Sequence, residues 1–420
     1  MEMIVNNFCG LDFGTSNSAI GFINNNEVKL AEFNKRDYLP SSIFFDFDEP
    51  EPFFGEEATK RYIDGGEGRM IWSPKNALGT SMMQEKTQIK DKKLSFKDII
   101  SLIIKNIKKS CEAQSGTEKT SIVVGRPVFF NDKDKKLDDE AQQTMFEILK
   151  DLGFKNIEFE FEPIAAATHY ESSINQEEIA LIVDMGGGTS DFTIAKLNKN
   201  SLSHDKKILA IGGVHIAGTN FDKQLSIKSM MPELGLGCNY KTLEGKWSMV
   251  PPTLHNDLST WHKIGFCYTK NNILYIKNKV YSSDAPHKFE RFLQVLEQRL
   301  GHHVAIAVER AKIALSSADT FKLQIPELEP MVDINMAKNA FEQAIEEDVE
   351  KIVSTLQTTI EDAQISRDKI AAIFMTGGAS MVPIVRKQIL SLVPQAKLID
   401  GDKFGSVATG LTLAASRKFA

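Results

Sequence analysis

The 420-residue sequence predicts an α/β protein of two lobes with a duplicated core and inserted subdomains. Three observations predict it. A chain of this length buries two or more cores rather than one. A strand, a glycine-containing polar turn and a second strand occur twice, over residues 8–23 and 181–197. Around them, short apolar strands alternate with segments whose apolar residues recur at helical spacing. Two hairpins of one plan, one in each half of the chain, imply two similar lobes facing each other across a cleft.

Bulk properties narrow the function classes. Hydrophobic content of 42% and charged content of 25% are those of an ordinary soluble globular protein. A net charge of −6 argues against nucleic acid or an anionic membrane surface as the main partner. No apolar run approaches the ~20 residues of a membrane helix. The start, Met1-Glu-Met-Ile-Val-Asn-Asn, lacks the basic and apolar regions of a secretory signal. Cys9, Cys111, Cys238 and Cys267 are dispersed without CxxC spacing and read as reduced thiols, so a cytoplasmic location is expected.

The first hairpin delivers Asp12 at the end of a strand, turns through Gly14, Thr15, Ser16 and Asn17, and resumes at Ala19. The second runs Leu181-Ile-Val-Asp-Met-Gly-Gly-Gly-Thr-Ser-Asp-Phe, with Asp184 before the turn and Thr189 and Asp191 after it. Gly186, Gly187 and Gly188 carry no Cβ, so their amides can approach a phosphate. Asp12, Asp184 and Asp191 would repel that phosphate unless a hydrated Mg²⁺ lay between, since this ion takes hard oxygen ligands and keeps several waters.

Between the hairpins, residues 38–115 read as an inserted subdomain. Ser42-Ile-Phe-Phe-Asp-Phe-Asp48 alternates apolar and polar residues as a half-buried strand does. Lys75 lies in the loop Trp72-Ser-Pro-Lys-Asn-Ala-Leu-Gly79, where a lysine is ordinarily a solvated charge. Ile99, Ile100, Ile103, Ile104 and Ile107 form one helical face. The charged run 132–140 reads as a solvated helix entry or loop. Glu162 stands where an alternating strand becomes a helix at Pro163, whose alanines suit a close helix crossing.

Past the second hairpin, the turn containing Gly218 and Thr219 opens a helix whose free amides suit an anion. Residues 228–300 carry no legible motif, and His302 and His303 read as surface residues. Glu309, Lys312, Ile313 and Ser316 share one helical face. Such a face could grip a nucleoside, with ribose hydroxyls at Glu309 and Lys312 and a base edge at Ser316. A long helical region is expected over residues 337–363. Gly377 and Gly378 then turn a buried strand towards a helix near Pro383.

In this order the segments resemble the ATPase domain of DnaK-type heat-shock chaperones, within the actin/hexokinase superfamily and most like its short YegD-type branch. The resemblance spans nearly the whole chain, most weakly at 40–70 and 228–295. It implies an actin-like ATPase fold with a duplicated ribonuclease H-like core, ATP/ADP and Mg²⁺ as ligands, and a protein partner, either co-chaperone or client. Leu11-Asp-Phe-Gly-Thr-Ser-Asn-Ser18 looks like the first phosphate motif and Val183–Asp191 like the second. Lys75 matches the catalytic lysine, which replaces the solvent reading of it, and Glu162-Pro163 looks like the pair that places the attacking water. Glu309-Arg-Ala-Lys312 with Ser316 is similar to the adenosine-binding helix, and Met375-Thr-Gly-Gly378 to the adenosine turn.

Departures carry expectations of their own. Ile313 and Met381 stand where the family has arginines against adenine, which implies weaker nucleotide binding. Pro127 matches a strand-end proline whose arginine partner is replaced by Lys135 or Gln142. No peptide-binding domain is expected within these 420 residues. The domain expectation is lobe I over 1–180, lobe II over 181–372 with an insertion at 228–300, and a segment 373–420 completing the cleft. The expected activity is a slow Mg²⁺-dependent ATPase that switches the cleft to control a partner. A small-molecule kinase, and a filament-forming or nucleotide-sensing protein without turnover, are the alternatives.

Overall fold

The computed structural model describes residues 6–131, 133–171, 174, 176–198, 207–401 and 405–420. The chain forms two compact units, one of residues 1–217 with 351–420 and one of residues 218–350.

The first unit holds two sheets of the same design. In the first, Phe8–Phe13 pairs antiparallel with Asn17–Asn24 on one side and parallel with Ser121–Arg126 on the other. Glu27–Leu30 and Asn156–Phe161 extend the two sides. In the second, Glu178–Met185 pairs antiparallel with Ser190–Leu197 and parallel with Ile370–Thr376, with Lys207–Val214 and Lys397–Asp400 outside them. Strand order and direction repeat strand for strand. The echo between the two hairpins is therefore a duplicated α/β core, in keeping with an actin-like fold.

Two helices join the sheets through one apolar cluster. Glu162–Glu171 and Ser406–Phe419 contribute Ile164, Ala165, Ala166, Leu411 and Ala415, packed with Phe8 and Val123 of the first sheet and Ile182 and Phe374 of the second. The helices cross closely because Gly410 lacks a side chain: a Cβ there would lie 1.8 Å from the Ala165 carbonyl oxygen. The outer face of the first sheet is covered by Phe96–Ser115, whose isoleucine stripe is fully buried, and by Lys135–Asp151. A capping box between Ser95 and Asp98 starts the former helix, and Gly116, at φ 69°, ends it in the left-handed conformation glycine tolerates. In the inserted subdomain Ser42–Asp46 pairs with Phe53–Phe54 and Gly68–Trp72.

The second unit is mainly helical, with an antiparallel pair Thr320–Ile325 and Val332–Ala337 and a small hairpin Asn239–Lys241 with Trp247–Met249. Its longest helix is Gly301–Leu315.

Four expectations change. Ser42–Asp46 is buried on both faces, because Ser42 donates to the Gly55 carbonyl and Asp46 accepts from Arg61 and the Asp48 amide. The 132–140 run is not all solvated. Asp134 caps the helix Lys135–Asp151 and Asp138 is buried, while Asp132 lies outside the described residues. The helical region over 337–363 is two helices, Lys338–Ala344 and Glu346–Asp362, the second opening on Glu346, Glu347 and Asp348, where a helix's positive end favours acids. His302 is buried, its ring 6.1 Å from that of Trp261, because the first turn of its helix faces the core.

Candidate functional site

Strand register builds the site. Asp12 stands next to last in the first central strand, Phe8–Phe13, and Asp184 next to last in the second, Glu178–Met185. Asp184 lies directly opposite Asp191 across the second hairpin, and like charges so placed repel. The turns of the two hairpins touch. A Cβ on Gly187 would lie 2.0 Å from Ser16 Oγ, and one on Gly188 would lie 2.9 Å from Thr15 Oγ1 and 3.2 Å from Asn76 Oδ1. A Cβ on Gly14 would strike the Asn17 carbonyl at 2.1 Å. Gly186 differs: a side chain there meets no atom within 4 Å, so its surface faces open space.

Lys75 reaches this place from the inserted subdomain. The strand Gly68–Trp72 ends in Ser73, in the left-handed region at φ 51°, and Pro74 opens a short 3₁₀ turn carrying Lys75. Ser41 pins this turn to the first hairpin. Its carbonyl accepts from the Ser73 amide at 2.9 Å, its amide donates to Ser16 at 2.8 Å, and its hydroxyl donates to Gly14 at 2.7 Å. Lys75 Nζ then donates to Glu162 Oε1 at 2.7 Å, with both side chains only 9% exposed. Glu162 fits because Gly125 beneath it has no Cβ, which would sit 2.9 Å from Glu162 Cγ.

One lysine thus stands among four carboxylates. Burial, then repulsion from Glu162, pushes Asp12 up to about 7 against the relief Lys75 gives. Burial and Glu162 push Asp191 up to about 7 as well, opposed by hydrogen bonds from Thr189 and the Val128 amide. Asp184 is held well above the usual carboxylate range by burial, Glu162 and its two aspartate neighbours. Burial alone would lower the Lys75 ammonium, but Glu162 and Asp12 outweigh it and hold Lys75 above its ordinary value. This surplus of negative charge fits a divalent cation. Among the described residues no three acidic, histidine or cysteine side chains converge closely enough to ligate a metal directly.

Residues that carry no sequence signal support the second hairpin. The Val128 amide donates to Asp191 Oδ1 at 3.1 Å. Asp138 holds the same loop by accepting from the Phe130 amide at 2.5 Å and from Arg126 at 2.9 Å. Arg126 also reaches Gln142, so Gln142 meets the strand end through Arg126 rather than through Pro127. His215 hydrogen-bonds the Phe130 carbonyl at 3.0 Å. An arginine before a proline and an aspartate in a charged run are ordinary surface signals, and only the fold shows their use.

Gly377, at φ 81°, closes on the second hairpin so tightly that a Cβ would lie 2.3 Å from the Met185 carbonyl oxygen. Gly378 faces open space and Met381 is 38% exposed. In the second unit, Lys312 Nζ donates to Asp222 Oδ2 at 2.9 Å and to the Gly218 carbonyl at 3.3 Å. Burial raises Asp222 to about 6 against the pull of Lys312, with Glu309 adding repulsion. The Ser316 hydroxyl donates to the Lys312 carbonyl, and Ile313 is 61% exposed on the same helix. The Lys312 ammonium is thus engaged within its own unit, while Ile313 presents free apolar surface.

A duplicated α/β core whose paired glycine turns meet beside a buried lysine and four carboxylates defines a nucleotide-binding protein of the actin-like class. The family model described as Hsp70 protein matches residues 8–231 and 293–416, and the chain belongs to the Hsp70 family. It is a chaperone-like ATP-binding protein. ATP or ADP with Mg²⁺ are the ligands this family takes. The unmatched residues 232–292 include the small hairpin and the helices Thr253–Leu258 and Lys270–Ser282. Among the described residues no helix is long and apolar enough to cross a membrane.

Proposed function

We propose that the protein is a slow Mg²⁺-dependent ATPase whose nucleotide state controls a protein partner, a client or a co-chaperone, in the cytoplasm. The buried Lys75–Glu162 pair between the two glycine turns carries this reading. Phosphoryl transfer needs positioning and neutralisation of charge more than covalent chemistry. The amides of residues 14–16 and 186–189 would hold the β- and γ-phosphates. Asp12, Asp184 and Asp191 would hold Mg²⁺ through its waters, and the ion would supply charge neutralisation at the phosphates. Lys75 would stabilise the transferring phosphoryl group, and Glu162 and Thr189 would orient the attacking water. By the family resemblance, Gly377, Gly378 and Met381 would be nucleoside contacts supplied by the first unit, and Gly218, Thr219, Glu309, Lys312, Ile313 and Ser316 those supplied by the second. The free state of Cys9, Cys111, Cys238 and Cys267 suits a reducing compartment.

The test is ATP turnover by the purified protein with and without Mg²⁺, with Lys75→Ala alongside. We expect slow Mg²⁺-dependent turnover that falls ~10²–10³-fold in Lys75→Ala, the scale of losing one transition-state donor, while ATP still binds. Turnover indifferent to Lys75 would remove it from the chemistry, and binding without any turnover would leave a nucleotide sensor.

A further inference from the structure

Position 381 lacks the cation that the resemblance places against the base, yet a guanidinium stands beside it. The strand Ile370–Thr376 turns at Gly377, runs through the short turn Gly378–Met381, and enters the helix Pro383–Leu392. Arg386 sits near the positive end of that helix, where a cation is disfavoured. Asp400 offsets this. It ends the strand Lys397–Asp400, paired with Met375, and Arg386 Nη2 lies 2.5 and 2.7 Å from its two carboxylate oxygens. Arg386 Nη1 points the other way, 3.9 Å from Met381 Sδ. The plane is thus fixed at one end by the carboxylate and laid beside a partly exposed thioether at the other.

We propose that Arg386, held by Asp400, determines base recognition on this side of the nucleotide. Together with Met381 it forms a thioether–guanidinium surface for the purine face. This rests on reading residues 377–381 as a nucleoside-binding turn. An arginine face attracts an aromatic ring through both charge and stacking, which the lysine ammonium cannot reproduce. The bland alternative is a surface ion pair, worth little and indifferent to nucleotide.

The experiment is calorimetric titration of ATP and ADP into the full chain, comparing wild type, Arg386→Ala, Arg386→Lys and the double variant Arg386→Ala/Met381→Arg. We expect Arg386→Ala to weaken binding about 2- to 30-fold. Arg386→Lys should recover only part of that, and it supplies the comparison should Arg386→Ala not fold. The double variant, which moves an arginine to position 381, should return to within about twofold of wild type. Unchanged affinity in both Arg386→Ala and Arg386→Lys overturns the proposal, and so does a loss that Met381→Arg fails to rescue, since that marks a purely structural role. Wild-type protein that binds no adenine nucleotide overturns the nucleoside reading itself, an outcome distinct from either.

Discussion

Replacing Lys75 by methionine should destabilise the nucleotide-free protein far more than a surface substitution does. The ammonium lies 2.7 Å from Glu162, both are buried, and Asp12, Asp184 and Asp191 face the same place. Breaking a buried ion pair by removing one partner costs about 3–5 kcal/mol, because the other charge is left desolvated and uncompensated. At roughly 2 °C per kcal/mol for a unit of this size, the thermal midpoint should drop by about 6–10 °C. The double variant Lys75→Met/Glu162→Gln should regain a large part of that loss, since an amide tolerates burial better than an unpaired carboxylate. Calorimetric melts of the wild type, both single variants and the double variant, in chelator and without nucleotide, close the cycle. A Lys75→Met midpoint within 2 °C of wild type would show that the pair does not hold the fold together, and the reasoning would fail.

Three further outcomes follow from the same geometry. Glu162→Gln should bind ATP several-fold more tightly, because one negative charge leaves the phosphate site, while single-turnover hydrolysis slows ~10²-fold through loss of the group that orients water; both are read by titration and quench. Gly186→Ala should leave the melting temperature within about 1 °C of wild type, because its Cβ meets nothing, yet lower ATP affinity where that open surface receives phosphate; unchanged affinity would move the phosphate elsewhere. His255 is buried with Nε2 3.0 Å from the Leu234 carbonyl, and burial lowers its pKa below 6.5. Its folded pKa lies below its unfolded one, so its contribution is intact above about pH 6.5 and lost as pH falls, by at most ~1.4 kcal/mol per unit. Asp12 and Asp191, raised to about 7, act in the opposite sense over the same range, so the slope is read as the difference between wild type and His255→Asn in melts at pH 7.5 and 5.5.

What the sequence made legible was local. Asp12-Phe-Gly and Asp184-Met-Gly announce themselves because a hairpin keeps strand, turn and returning strand within twenty residues, so the duplicated sheet can be inferred from the pair. The isoleucine stripe of Phe96–Ser115 is legible for the same reason, a period measured inside one helix. Lys75 and Glu162 are 87 residues apart. Lys75 carries no pattern of its own and only the ordered resemblance singled it out, whereas Glu162 is marked by the junction of strand and helix at Pro163. Asp138 was hidden more deeply. Its neighbours Lys135, Lys136, Asp139 and Glu140 read as a solvated run, while the fold turns that one carboxylate inward to hold Arg126 and the Phe130 amide. Arg386 and Asp400 belong to the same class, two ordinary surface charges, one on the helix Pro383–Leu392 and one at the end of the strand Lys397–Asp400, brought together by the pairing of that strand with Ile370–Thr376.

The electrostatics of the site suggest why such a protein would respond to nucleotide at all. In the nucleotide-free chain a single ammonium serves four carboxylates, and Glu162 has its closest contact. On the proposed function, a triphosphate with its divalent cation would compete for that ammonium and relieve Asp12, Asp184 and Asp191. Each half of the exchange would favour the other, since a lysine drawn towards phosphate would free the Glu162 oxygen to accept from water. On that reading, the residues that pair with one another here would be the ones that serve the chemistry. Asp191 is tied to the Val128 amide, and that loop to Asp138 and Arg126, so on the proposed function a change in charge at the phosphates would bear on this strand end. A site built this way would couple occupancy to structure through hydrogen bonds already in place.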